Sequence, residues 1–230
     1  MQTIMLKLSG ELIQSDSHMF DHHKILALTE KIIDLYQRFR LAIVMGAGNI
    51  WRFKTMTQLH LPRETSDALG MLGTIYNANI LAQYIRDQGI PTTVYTPQHF
   101  TTIPLSNDFC AHTARHRIAQ GEIVFCAGGT GNPYCTTDLA AVLRALELGC
   151  DMVVKVTTVD GVYDSDPRIN PHARRYDYIS HTDVLHQKLM VMDQSAFGMA
   201  SENNLPIAVC NSEAMMHVGT DRRQGTIVRS

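Results

Sequence analysis

Two hydrophobic rhythms alternate along the chain. Short apolar runs rich in Val and Ile, bounded by turn residues, recur at 3–8, 41–45, 92–95, 122–126, 152–156, 206–210 and 226–228. They predict β-strands, several of them buried on both faces. Between them lie longer segments in which apolar residues return every three to four positions. Residues 22–39 set Ile25, Leu28, Ile32, Ile33, Leu35 and Tyr36 on one broad face, and 64–86 carry Leu69, Leu72, Ile75, Tyr76, Asn79 and Ile80. Residues 137–148 carry Leu139, Ala140, Leu143 and Leu146 and stop at Gly149, a residue suited to a left-handed helix end. Strand and helix alternate through most of the chain, which predicts an α/β sandwich around a largely parallel sheet. With no internal repeat and no Pro/Gly/Ser-rich linker, one domain over residues 1–230 is expected.

In such sheets ligands bind beyond the carboxyl ends of the strands, and four glycine-bearing turns fall there. They are Lys7-Leu8-Ser9-Gly10-Glu11, Gly46-Ala47-Gly48-Asn49, Gly128-Gly129-Thr130-Gly131-Asn132-Pro133 and Thr157-Thr158-Val159-Asp160-Gly161-Val162-Tyr163. Glycine lets backbone N–H groups approach a phosphate, and a following helix N-terminus adds positive potential. Any one such turn is also explained by loop conformation alone. Four in one chain, with a lysine in the first, point to a phosphorylated ligand. The P-loop signature is absent, and Trp51 stands where a dinucleotide fingerprint needs glycine, so both of those cradles are excluded. Lys7 either snorkels to solvent or sits on transferring phosphate oxygens. Asp138 either serves as a first-turn acid or orients lysines around a phosphoryl group. Thr136 and Thr137 either cap the helix or bond a phosphate, and Asp67 falls on a helix, where a solvated acid is the ordinary case.

Taken together these segments resemble the bacterial uridylate (UMP) kinases of the amino-acid kinase family. Further matches are Arg52, Asp67 before Gly70-Met71-Leu72, Tyr134 through Thr136-Thr137-Asp138, Asp166-Pro167, Val191-Met192-Asp193, Asn204-Leu205-Pro206-Ile207 and Gly225-Thr226. The resemblance runs in order over nearly the whole chain and is most specific over 130–138. It implies a three-layer α/β/α sandwich and transfer of a phosphoryl group from ATP to UMP. Magnesium would be held mainly by phosphate oxygens, with no metal ligand set on the protein. Carried over residue by residue, Lys7, Leu8, Ser9, Gly10, Gly48 and Arg52 would meet the ATP phosphates, and Thr157, Tyr163 and Asp166 the adenosine. UMP would contact Gly46, Ala47, Asp67, Thr130, Gly131, Asn132, Pro133, Tyr134, Thr136 and Thr137. Lys7, Arg52 and Asp138 would be catalytic, and Lys155 and Asp193 match family positions as well. A homohexamer is implied, and the apolar length of 64–86 fits packing against a partner.

The chain departs from the family in four places. Ala47 takes the middle of three usual glycines, Thr158 replaces a usual lysine, 12–21 lacks the usual glycines, and Phe53-Lys54 follow Arg52. Two other readings therefore stay open: a nucleotide-binding or storage relative without catalysis, and a kinase for a carboxylate or carbamate acceptor.

Composition narrows the setting. At 45% hydrophobic and 18% charged residues, disorder and fibres are excluded. A net charge of −2 gives no field for non-specific nucleic-acid binding. The five cysteines are odd in number and show no C-x-x-C spacing, so they read as buried thiols in a reducing compartment, with no structural zinc. The apolar start is short and interrupted by Lys7, and no run approaches the roughly 20 residues of a membrane span. A cytoplasmic protein without membrane or nucleic-acid partners is expected. His112 and His116, four apart without an intervening Glu, read as surface groups. Met71, Met190, Met192 and Met199 read as core filler, and Arg222-Arg223 as a solvated pair.

Overall fold

The strand that carries the first motif, β1 (Thr3–Leu8), lies in the interior of the sheet. The computed structural model describes residues 1–52, 57–97, 105–189, 191–220 and 224–230, and Phe53, Lys54, Met190, Arg222 and Arg223 lie outside these. In chain order the further elements are α1 (His22–Tyr36), β2 (Arg40–Met45), α2 (Arg63–Arg86), β3 (Thr92–Thr96), β4 (Asn107–Asp108), α3 (Ala111–Ala119), β5 (Ile123–Cys126), α4 (Thr137–Leu148) and β6 (Met152–Val156). They continue with β7 (Val162–Tyr163), β8 (Arg175–Tyr176), β9 (Tyr178–Ile179), α5 (His181–His186), α6 (Gln194–Glu202), β10 (Ile207–Cys210) and β11 (Thr226–Val228). Among the described residues nine strands form one sheet in the order β4-β3-β5-β2-β1-β6-β10-β11-β9, and β7 and β8 form a separate antiparallel ribbon. Every neighbour in the large sheet is parallel except β10 and β11.

The period of two along the strands makes the layers. Ile4, Leu6 and Leu8 face one core with Ile25, Leu28 and Ile32 of α1 and Leu81 and Ile85 of α2. Met5 faces the opposite core with Ala141 and Ala145 of α4, Ala114 and Ile118 of α3, Val184 of α5 and Phe197 of α6. The result is the α/β/α sandwich expected from the alternation.

All seven predicted strands are present, with small shifts at their ends. Glu122 stays outside β5 because its N–H closes the turn after α3 on Arg117 O at 3.0 Å, and its carboxylate accepts from Arg117 Nη1 (2.9 Å) and Thr93 Oγ1 (2.6 Å). Pro206 has no N–H to give a ladder, but its carbonyl accepts from Val153 N at 3.0 Å. The first helix ends at Tyr36, short of the predicted 39, and Phe39 folds back into the core. Gly149 ends α4 in the left-handed conformation, at φ 68°. Strands β4, β7, β8 and β9 have two residues each, too few to carry a period.

Helix α2 departs most from the pattern. Its buried positions are Ser66, Gly73, Thr74, Asn77, Ala78, Leu81, Ala82 and Ile85, while Leu72 and Tyr76 are exposed. The N-terminal half of α2 packs on glycine turns instead of sheet side chains, so its inner face is small and polar. Gly73 is the closest approach: a Cβ there would lie 2.8 Å from the Ala47 Cβ. Replacing Gly73 by Ala is expected to cost about 1–3 kcal/mol in urea unfolding. Adding Ala47→Gly is expected to return most of that loss, because the two methyl groups compete for one space.

Candidate active site

Strands β1 and β6 are neighbours, and their register sets Lys7 opposite Lys155. Both side chains point to the α4 side and are nearly buried, at 11% and 9% exposure. Two ammonium groups so placed repel each other and lose hydration, and they need an anion. Asp138 is that anion. Lys7 Nζ stands 2.8 Å from Oδ1 as an ion pair off hydrogen-bond geometry, and Lys155 Nζ donates to Oδ2 at 2.7 Å.

Local sequence explains where the carboxylate sits. Thr136 caps α4, its Oγ1 accepting from Leu139 N at 3.1 Å, so Asp138 falls in the first helical turn, where a negative charge is favoured. The same Thr136 hydroxyl donates to Asp193 Oδ2 at 2.8 Å. Asp193 in turn caps α6, and its N–H approaches Asp138 Oδ2 at 3.4 Å. Burial pushes the Asp138 carboxyl upward, but the two lysine charges outweigh it and hold it at about 2. Burial, with the Lys7 charge beside it, lowers Lys155 to about 8, against the pull of Asp138.

The first two turns lock together over α2. Gly46 N donates to Leu8 O at 2.8 Å. Asn77 of α2 donates to Gly46 O at 2.7 Å and exchanges amide bonds with Asn49 at 2.7 and 3.1 Å. Gly10 fits this junction only without a side chain, since a Cβ would lie 2.3 Å from Asn49 Oδ1 and 2.8 Å from Gly46 O. Ser9 caps the 3₁₀ turn Gly10–Ile13. Ala47 does not take a left-handed conformation, which non-glycine residues adopt at His60, Tyr134, Lys188 and Asn204 among the described residues. Its methyl group packs over Gly73 and strains nothing. Thr137 borders the same junction, as a Cβ on Gly46 would lie 3.7 Å from its Oγ1.

The third turn is tied to α2 twice. Gly128 N donates to Thr74 Oγ1 at 2.8 Å, and Tyr134 N donates to Asp67 Oδ2 at 2.7 Å. Asp67 is therefore not a solvated acid. Arg63 Nε grips both its oxygens at 2.9 and 2.8 Å, and the Arg63 guanidinium lies over the Tyr134 ring. Tyr134 carries φ 67° and an exposed ring. Thr130 Oγ1 accepts from Asn132 N at 3.2 Å, and Gly131 and Pro133 complete the loop.

Thr157, Tyr163 and Asp166 line one cleft of about 520 Å³, bounded on the far side by Lys188, Leu189 and Val191. Tyr163 Oη donates to Asp160 Oδ1 at 2.8 Å, and Arg168 grips Asp166 at 3.0 and 2.8 Å. Arg52 is turned onto its own turn: its Nε donates to Gly48 O at 2.8 Å and its guanidinium pairs with Glu11.

The structure thus brings Lys7 to Asp138, Gly10 to Gly46, Thr137 to Gly46, and Asp67 to Tyr134. Arg52 it sets against Gly48 and Glu11. Sequence reasoning placed Asn49 in the second turn but missed Asn77, Thr74 and Arg63. Their signal was a set of small polar residues at 66, 74 and 77 on the face that α2 buries, with Arg63 one turn before Asp67.

Comparison with known proteins follows the same outline. Residues 2–211 match the family model described as the amino acid kinase family. The uridylate kinase of Rickettsia prowazekii (strain Madrid E) is 41% identical over 214 residues, spanning 90% of this chain and 85% of the relative. That of Rickettsia conorii is 42% identical over 213 residues, with the same coverage. The UMP kinase of Bacillus anthracis superposes with a TM-score of 0.94 at 29% identity, over 99% of this chain and 96% of that one. The UMP kinase of Ureaplasma parvum gives 0.92 at 33% identity, over 100% and 99%.

The charge cluster predicts a pH signature in urea unfolding. Asp138 is held at about 2, below its free value of 3.8, so the unfolded chain takes up a proton first as pH falls. The stability Asp138 supplies is full above about pH 4 and lost between about 4 and 2. Lys155 is depressed from 10.5 to about 8, so the unfolded chain binds more protons in that window and stability rises with pH across it. Asp138→Asn is expected to cost about 3–5 kcal/mol near neutrality, because it leaves two buried cations without their anion.

Proposed function

The chain belongs to the amino acid kinase family, and from that premise we propose that it transfers the γ-phosphoryl group of ATP to UMP, giving UDP for pyrimidine nucleotide synthesis. The observation that carries this reading is the Lys7–Asp138–Lys155 cluster at the carboxyl ends of β1 and β6, beside two glycine turns.

Phosphoryl transfer needs positioning and positive charge on a loose transition state, and little covalent work from the protein. Lys7 stabilises the phosphoryl group as it passes from ATP to UMP, with Lys155 beside it. Two lysines and one carboxylate leave one positive charge in excess where negative charge must be met. Backbone amides of the 9–10 and 46–48 turns add donors. Asp138 orients the lysines. Held at about 2, it is not a base, and an acceptor phosphate is already nucleophilic and needs none.

UMP lies over the Gly46-Ala47 turn and the 130–137 loop, with Asp67 near its ribose, and the adenosine of ATP lies in the cleft of Thr157, Tyr163 and Asp166. Asp67 supports this role indirectly as well, since it fixes the loop through Tyr134 N. Arg52 stands on the phosphate side and exchanges Glu11 for nucleotide. Magnesium in this reading rides on the nucleotide phosphates, as the family resemblance implies. Magnesium supplies charge neutralisation between the β- and γ-phosphates when bound.

Exposed Leu72 and Tyr76 on α2 support self-association through that helix, and a hexamer is the family expectation. Among the described residues no helix is long and apolar enough to cross a membrane. A single catalytic domain working in the cytoplasm completes the reading.

The test is ADP formation from Mg-ATP with UMP, run beside CMP, dUMP and no acceptor. Turnover is expected with UMP, and Lys7→Ala is expected to lower kcat by a factor of about 100 or more. Absence of acceptor-dependent turnover from folded protein would overturn the proposal. The kcat/KM profile, which reports the free enzyme, is expected to fall as pH rises through about 8, where Lys155 loses its proton.

A further inference from the structure

Helix α5 ends on a left-handed residue that is not glycine. Leu189 N donates to Val184 O at 3.1 Å and Lys188 N to Leu185 O at 3.2 Å. These paired bonds are a Schellman stop, whose left-handed position glycine fills without steric cost. Here Lys188 fills it, with φ 51°. Its side chain is exposed and makes no hydrogen bond or ion pair among the described residues.

That side chain borders the donor cleft. Arg168, the other cation lining it, is gripped by Asp166 through both oxygens. Thr158 adds no charge to the lining, and Asp164 adds a negative one. The cleft therefore holds one ammonium group with no protein partner, on a long flexible stem, at a position where lysine is conformationally disfavoured.

We propose that Lys188 is a donor-binding residue whose ammonium pairs with the phosphate chain of the nucleotide in this cleft. The proposal rests on the kinase reading above for the identity of the donor. Asn204 closes α6 with the same paired bonds and also at φ 51°, but it carries no charge; at Lys188 the conformational cost is borne by a charge that nothing in the protein neutralises, which fits a ligand anion.

The experiment compares wild type, Lys188→Gly and Lys188→Arg. Lys188→Gly relieves the left-handed strain, so its melting temperature is expected to rise by about 2 °C, which also reports that it folds. Binding of ATP, ADP and adenosine is measured by calorimetry without UMP. ATP and ADP are expected to weaken about tenfold in Lys188→Gly, adenosine to be unchanged, and Lys188→Arg to stay within about threefold of wild type. The KM for UMP is expected to hold. Unchanged ATP and ADP binding in Lys188→Gly would overturn the proposal, and so would an equal loss for adenosine, which would assign the contact to the nucleoside. Wild-type protein that binds ADP but shows no UMP-dependent turnover would overturn the kinase reading and leave the Lys188 comparison readable.

Discussion

Two lysines opposite each other on neighbouring strands, with one carboxylate between them, set the terms for much of this molecule. Lys7 and Lys155 are buried and face the same side of the sheet, an arrangement that is unfavourable without Asp138. Asp138 is delivered by the first turn of α4, which Thr136 caps, and Thr136 also ties α4 to α6 through Asp193. The docking of α4 on β1, the cap and the charge cluster are thus one unit. The cluster carries one surplus positive charge, and its low exposure keeps that charge from being screened.

Helix α2 is the second organising element, and it works through small polar groups. Asp67 and Thr74 hold the backbone of the third turn, at Tyr134 N and Gly128 N, and Asn77 holds that of the second, at Gly46 O. The glycine turns are therefore fixed by a helix face and not by their own conformation alone. Close approach requires Gly10 and Gly73 to lack side chains, and it makes Ala47 acceptable because its methyl group uses the space that Gly73 leaves. Large apolar residues of α2 are displaced outward as a result, which leaves Leu72 and Tyr76 exposed.

Much of the fold was legible because the sheet is parallel and deeply buried, so its strands read as apolar runs and Gly149 marks a helix end. The two-residue strands were not legible, since a period needs more residues than they have. The site was legible in kind but not in wiring. A strand-ending lysine and a first-turn aspartate each have an ordinary structural use, and only the register of β1 against β6 shows that Lys155 completes the pair. Asn77 and Thr74 were hidden inside a helix where polar residues carry no phosphate signature. Lys188 was hidden because helix-end geometry, not composition, sets it apart.

The most direct test of the charge cluster is the titration of the lysine side-chain nitrogens by heteronuclear NMR, in wild type and in Lys7→Met. The account predicts that Lys155 titrates near 8 in wild type and moves upward in Lys7→Met, because the neighbouring charge that disfavours its proton is gone. A Lys155 that titrates near the ordinary lysine value of about 10.4, unmoved by loss of Lys7, would contradict it.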